Sequence, residues 1–186
     1  MDNDAIVTKQ FSVRRFEELL IYFVLGTIAG RYIEIIWQYF RYHITDPLYS
    51  AQQLLAPPLA EPYGLGVIAV ILLVEPIIRK YKLNVGKSYI LSVVVTCLVE
   101  YISAIALVLV FGQNDFWDYS DQPFNIQGHV SLETSLLFGL LAMLFLKFVY
   151  PNTARKFDKM TNRQVKILAL VLTILYSVLF LLSKRG

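Results

Sequence analysis

Residues 100–128 read EYISAIALVLVFGQNDFWDYSDQPFNIQG, and they join the end of a long apolar run to a loop rich in aromatic and acidic residues. The stretch begins with a carboxylate inside the apolar run and contains no Lys or Arg. An ionisable side chain is costly in hydrocarbon and usually faces the interior of a helix bundle. The stretch therefore predicts a membrane-spanning helix that leads directly into an ordered loop.

The rest of the chain contains further apolar runs near the roughly 20 residues that a helix needs to cross a bilayer. Of the 186 residues, 56% are hydrophobic. Because unpaired backbone groups are not tolerated in lipid, each run has to be helical. The sequence predicts an all-α integral membrane bundle, a single polytopic domain over residues 1–186. Its five spans are predicted at about 19–40, 63–79, 89–111, 130–150 and 165–183.

The distribution of positive charge predicts the orientation. Thirteen of the 17 Lys and Arg residues lie before the first span or in the segments 79–88 and 147–166, three lie on the other side, and Arg31 lies inside a span. Positive charge accumulates in cytoplasmic segments. We expect a plasma-membrane protein with a cytoplasmic N-terminus, and outer loops at 41–62 and 112–129. The net charge of +3 is attributed to this topology, and nucleic acid is not an expected partner.

The first outer segment, 41–62, is apolar for a solvated linker and contains Pro57, Pro58 and Pro62. Proline in a helix interior removes a hydrogen bond and clashes with the preceding turn. The segment is therefore predicted to lie at the outer interface or to dip in among the helices.

Arg31, Glu34 and Glu100 lie inside predicted spans. At a rise of 1.5 Å per residue, Arg31 and Glu100 both lie roughly 16–18 Å from the cytoplasmic ends of their spans. We predict a buried Arg31–Glu100 pair with Glu34 one turn further out. Two interpretations stay open: the pair locks the first and third spans together, or it forms a substrate or ion site. Glu75 is instead predicted to form an interfacial pair with Arg79.

The third span also carries a polar stripe around Glu100. Ser92, Thr96 and Ser103 share its face at spacings of three and four residues. Such a stripe can line a pathway or make hydrogen bonds between helices. By contrast, small residues in the first span (Gly26, Gly30) and the fourth span (Ser135, Gly139, Ala142) predict close helix packing.

Several kinds of active site have no matching motif. Val85-Gly86-Lys87-Ser88 resembles the end of a phosphate-binding loop, but Tyr81 stands where the first glycine should be. The aspartates of the outer loop lack the spacing of a calcium loop, and the single cysteine, Cys97, excludes an intrachain disulfide. We predict a protein that is not an enzyme and has no cofactor and no metal site.

The pattern from residue 100 to 128 resembles the hallmark of a bacterial family, the type IV ABC transporter permeases of the CmpB-like group. The matching residues are Glu100-Tyr101, Trp117-Asp118-Tyr119-Ser120, Asn125 and Gly128, with Tyr63-Gly64-Leu65-Gly66 as a second match and Glu34 as a third. Asp118, Ser120 and Asn125 can hydrogen-bond nearby backbone and fix an irregular loop. On this basis the loop is either an outer lid over the Arg31–Glu100 region or a structural cap without a ligand.

The resemblance implies a permease-like transporter subunit of the bacterial inner membrane that relies on a separate ATPase. The ATPase would dock on two basic segments that are predicted to be short cytoplasmic loops, 79–88 and 147–166, and self-association into a homo-oligomer is also open. The alternative is a non-transporting scaffold or a regulatory or assembly subunit. A third hypothesis, a lipid-modifying enzyme, would use Glu34 or Glu100 as a general base.

Overall fold

The computed structural model describes residues 12–42, 59–112 and 117–183. This part of the chain is helical, apart from short connections and one isolated bridge between Ile126 and Val130. The five helices are α1 (Val13–Tyr42), α2 (Glu61–Tyr81), α3 (Val85–Phe111), α4 (Leu132–Lys159) and α5 (Asn162–Ser183). All five are long and apolar enough to cross a membrane. The predicted all-α architecture with five spans is confirmed.

The two basic segments are predicted to be loops, and this prediction is wrong for most of their length. Only residues 82–84 and 160–161 break the helices there. Asn84 starts α3 by accepting a hydrogen bond from the Lys87 amide, and Thr161 starts α5 through reciprocal hydrogen bonds with Gln164. Hydropathy marks where a chain leaves the bilayer, whereas caps mark where a helix ends.

Two of the helices contain a widened π turn just before a proline. In α2 the π turn is Val70–Val74 and precedes Pro76, and in α4 it is Phe145–Val149 and precedes Pro151. Proline has no amide hydrogen, and its ring collides with the carbonyl four residues earlier. The extra residue of a π turn gives this carbonyl room. Both prolines thus remain inside continuous helices.

The contacts between residues divide the chain into two compact units: the first unit is residues 61–154, and the second unit is the remainder. In the first unit, Val70 and Val74 of α2 pack with Val95 of α3 and Ala142 of α4. The predicted small-residue stripe of α4 is buried, and Gly139 lies directly against Val93 of α3. The organisation of the chain as one domain stays a prediction.

The α2 helix carries the predicted interfacial ion pair at its end. The Arg79 guanidinium bonds the Glu75 carboxylate one turn earlier. The guanidinium is largely exposed, with 66% of the side chain accessible. Exposed pairs of this kind contribute little to stability. The predicted Glu75–Arg79 pair is confirmed, its place at the membrane interface stays a prediction, and no functional role is assigned to Glu75.

In the second unit, α1 is joined to the start of α5 through Arg14. Its guanidinium donates hydrogen bonds to the carbonyls of Phe157 (2.5 Å) and Met160 (3.1 Å) and to Asn162 Oδ1 (2.6 Å). Glu18 accepts from the same guanidinium at 3.1 Å. A cation at a helix C-terminus satisfies carbonyls that have no partner within the helix. Arg14 therefore has a structural role besides any effect on topology.

Most of the predicted outer loop 41–62 lies outside the described residues. At its end, the Ala60 amide donates to the carbonyl of Thr27 at 3.3 Å. Thr27 is fully buried and lies about 22 Å from the end of α1, at 1.5 Å per residue. The chain thus contacts α1 well inside that helix before α2 begins.

Candidate functional site

The polar stripe of α3 faces the protein interior. Its four predicted members, Ser92, Thr96, Glu100 and Ser103, are all buried. The hydroxyls of Ser92 and Thr96 donate to carbonyls one turn earlier in their own helix, at 2.9 and 2.8 Å. Such back-bonding satisfies a hydroxyl without a second helix. The stripe therefore leaves Glu100 as its chemically distinctive member.

Within the described part of the chain, the Glu100 carboxylate is held through one of its two oxygens. The residue is 6% exposed, and the Tyr119 hydroxyl donates a hydrogen bond to its carboxylate. Its other oxygen, Oε2, is buried and has no hydrogen-bond partner among the residues that the structure describes. A buried polar atom without a partner costs about 1–3 kcal/mol, and more when charged. This carboxylate oxygen is the strongest structural indication of a site.

The loop from Trp117 to Val130 folds back on itself; it is called the outer loop below, after its predicted side of the membrane. The Trp117 indole donates to the His129 carbonyl at 2.8 Å, and the Tyr119 amide donates to the Gly128 carbonyl at 2.9 Å. These two hydrogen bonds close the loop at its base. The Trp117 side chain therefore ties the loop to its own far end.

Asn125 fixes the centre of the outer loop. Its side-chain amide donates to the carbonyls of Gln122 (2.8 Å) and Ser120 (3.3 Å), and its side-chain oxygen accepts from the Gly128 amide at 2.9 Å. Asp118 adds a second local tie by accepting from the Ser120 amide at 2.9 Å. The prediction that short polar side chains bond the loop backbone is confirmed for Asp118 and Asn125, whereas the Ser120 hydroxyl donates to the Asp118 carboxylate instead.

The outer loop is also attached to α3 at the Glu100-Tyr101 pair. The Tyr101 hydroxyl donates to the Gln127 side chain at 2.8 Å, and the Tyr101 and His129 rings lie 6.0 Å apart. Adjacent residues of α3 therefore bind different parts of the loop: Glu100 binds Tyr119, and Tyr101 binds Gln127. No local pattern predicts the role of Gln127, because its partner lies 26 residues away.

The Asp118 carboxylate is exposed at the surface of the outer loop. Its pKa is lowered from the ordinary value of 3.8 by hydrogen bonds from the Ser120 hydroxyl and amide, and further by the nearby His129. A lowered pKa means that the charged form is favoured in the folded loop. The resulting stabilisation is fully present above pH 3.8 and is lost as the pH falls through the lowered value.

We expect Ser120→Ala to raise the pKa of Asp118 part of the way towards 3.8, because the variant removes the hydroxyl donor but keeps the amide. A carbon-13 NMR titration of the aspartate carboxylates in micelles would measure the change. Ser177→Ala removes a hydroxyl that bonds Thr173 in α5 and should leave the titration unchanged. An unchanged Asp118 pKa in Ser120→Ala would contradict the assigned cause.

The Arg31 and Glu34 side chains form a second polar group, on α1. Arg31 Nη1 lies 3.2 Å from Glu34 Oε2, and the Gln38 amide donates to the other Glu34 oxygen at 3.3 Å. Together with the buried Thr27 they follow one face of α1 at spacings of three and four residues. Gln38 and Thr27 were not predicted, although this spacing could have revealed them. The Arg31–Glu100 pair, which would join the two units, stays a prediction.

An apolar groove of about 320 Å³ lies between α2 and α3. Its lining residues are Leu65, Ile68, Ala69, Leu72, Leu73, Val99, Ile102 and Ser103. Only Ser103 belongs to the polar stripe. The lining suits a hydrocarbon chain better than a charged solute, so the groove is not counted as part of the Glu100 site.

Metal ligation receives no support from the described residues, where no group of three or more His, Cys, Asp or Glu side chains could hold an ion. Asp118 Oδ1 already accepts hydrogen bonds from the Ser120 hydroxyl at 2.6 Å and from the Ser120 amide at 2.9 Å.

Five apolar helices, a buried carboxylate and a self-bonded loop define a multi-pass membrane protein. Residues 21–183 match the family model described as "Putative ABC-transporter type IV". The match covers most of the chain, and the protein belongs to this family. No curated protein and no solved structure matches it.

Proposed function

We propose that this protein is a permease subunit of an ABC transporter and relies on a separate ATPase. The observation that carries the proposal is the buried Glu100 carboxylate, which has one oxygen bound by the outer loop and one oxygen without a partner in the described chain. Ionisable groups in spans are rare and mark substrate or ion pathways. The family description supports a transporter component.

In this proposal the N-terminus is cytoplasmic, the membrane is the plasma membrane, and the outer loop faces outside. The ATPase docks on the basic segments 79–88 and 147–166, where Lys80, Lys82 and Lys156 are exposed. These segments are largely helical, which makes them firmer docking elements than flexible loops. The protein itself performs no catalysis and needs no cofactor.

The test is purification of the tagged protein from its native membrane in mild detergent, followed by mass spectrometry. A stoichiometric ATPase supports the proposal. The docking variant neutralises four cations (Lys80→Gln, Lys82→Gln, Arg155→Gln, Lys156→Gln) and should lose the ATPase. The matched control exchanges Lys and Arg at the same four positions, keeps the charge, and should retain it.

A non-transporting scaffold is the second candidate, favoured by the hydrogen bonds that satisfy Ser92 and Thr96 within α3 and close the outer loop on itself. Recovery of other membrane proteins without an ATPase would overturn the permease proposal and favour the scaffold. Glu100→Gln separates the two further. If the protein is a permease, the Glu100→Gln variant should fold normally and lose transport. If it is a scaffold, the same variant should lose stability and activity together.

A further inference from the structure

Two buried side-chain oxygens of the first unit have no hydrogen-bond partner among the described residues. They are Glu100 Oε2 on α3 and Gln122 Oε1 in the outer loop. Glu100 is 6% exposed and Gln122 is 8% exposed, so water outside the protein has little access to either. Most buried polar side-chain atoms in proteins have a partner. Two exceptions in one region indicate that something outside the described chain supplies the missing hydrogen bonds.

Tyr119 connects the two residues. Its hydroxyl donates to the Glu100 carboxylate, and its backbone carbonyl accepts from the Gln122 amide at 2.9 Å. The Gln122 carbonyl is held in turn by Asn125 at 2.8 Å. The backbone on both sides of Gln122 is thus fixed, and Glu100 on α3 is bonded to the same turn through the Tyr119 side chain.

The missing groups are hydrogen-bond donors. A carboxylate and an amide oxygen both accept, so a ligand that satisfies them has to donate at least two hydrogen bonds. The charge around them is negative: residues 112–129 contain no Lys or Arg, and the loop carries Asp118 and Asp121 as well as the nearby Glu100. Such a surface attracts cations. The Tyr119 ring, whose hydroxyl bonds Glu100, is an aromatic group of the kind that favours organic cations.

We propose that Glu100 and Gln122 bind the protonated primary amine of a small organic substrate beneath the outer loop. The inference rests on the proposed permease function, for which it names the class of cargo. An ammonium group carries three N–H donors and a positive charge, and therefore supplies what both oxygens lack. A divalent metal fits less well, because the described residues offer no cluster of three ligating side chains.

The test is isothermal titration calorimetry on the full-length protein in mild detergent with two probes, benzylammonium and benzyltrimethylammonium. Both carry one positive charge and the same ring, but only benzylammonium has N–H donors. We expect benzylammonium to bind at least about tenfold more tightly, the ratio expected from one charge-assisted hydrogen bond. Equal affinities, or no heat from either probe, would overturn the proposal.

Three variants locate the binding. Glu100→Gln should lower the affinity for benzylammonium by about tenfold or more. Gln122→Met keeps the length of the side chain but removes the acceptor, and it should lower the affinity by a smaller factor. In the double variant the affinity should fall by less than the product of the two single factors, because both residues bind the same ammonium group. Asp158→Asn removes an exposed carboxylate of α4 and should leave the affinity within about twofold.

Gln122→Met keeps the test decisive if Glu100→Gln does not fold, since unchanged benzylammonium affinity in a folded Gln122→Met protein contradicts the proposal. Failure of the inference and failure of the proposed function give different results. Co-purification of an ATPase without amine binding removes only the amine as cargo. Amine binding without an ATPase removes the ABC permease and leaves a binding site.

Discussion

Gly139→Ala is expected to destabilise the protein by roughly 1–3 kcal/mol, the usual range for a methyl group forced into a packed interface. A Cβ atom at Gly139 would collide with a Val93 side-chain methyl and lie 3.0 Å from the Val93 Cα and 3.1 Å from its amide nitrogen. The two backbone atoms cannot rotate away. Helix α4 therefore has to move away from α3, although alanine is the better helix former.

Gly66→Ala is the matched control, because it makes the same change inside α2 where a Cβ would meet nothing within 4 Å. It should stabilise the protein by up to about 1 kcal/mol, since it reduces the conformational freedom of the unfolded chain. Thermal unfolding followed by circular dichroism in the same detergent would measure both. Opposite signs support close α3–α4 packing as the basis of the fold. A Gly139→Ala protein stabilised as much as Gly66→Ala would mean that the interface yields easily.

Gly139 and Glu100 differ in how much of their environment a sequence can reveal. The packing role of Gly139 is predictable, because small residues one turn apart in an apolar run are typical of close helix contacts. The burial of Glu100 is predictable from its position in a span. Its bond to Tyr119 is not, because that bond depends on how the outer loop returns to α3. The hydrogen bonds of Arg14 are equally unpredictable, since their acceptors lie more than 140 positions away.

Helix ends and irregular turns can be predicted from local signals other than hydropathy. Thr161 and Gln164 have the spacing of a capping box, and Asn84 precedes a helix as a typical cap. Pro76 and Pro151 within apolar helices indicate an irregular turn. Hydropathy by itself predicts loops in these segments. The position of a membrane boundary and the end of a helix depend on different side-chain properties, so each needs its own signal.

Gly128→Ala is expected to disrupt the outer loop. Gly128 has a φ of +71°, which costs a residue with a Cβ about 1–2 kcal/mol. A Cβ there would also collide with the Ser120 hydroxyl and lie 2.8 Å from Asp118 Oδ1. The substitution therefore breaks the Asp118–Ser120 hydrogen bonds or displaces the backbone that binds the Tyr119 amide. We expect a total cost above about 2 kcal/mol, from a contact penalty added to the backbone strain.

Gly112→Ala separates the two causes. Gly112 ends α3 with a φ of +82°, but a Cβ there would meet nothing within 4 Å. It should cost only the backbone strain of about 1–2 kcal/mol. Thermal unfolding in detergent would give both values, and benzylammonium titration would report on the site. A larger loss for Gly128→Ala, together with weaker amine binding, would mean that the loop holds Tyr119 in place over Glu100. Equal losses with unchanged binding would mean that Asp118 and Ser120 adjust freely, and the loop would then be a cap that the site does not need.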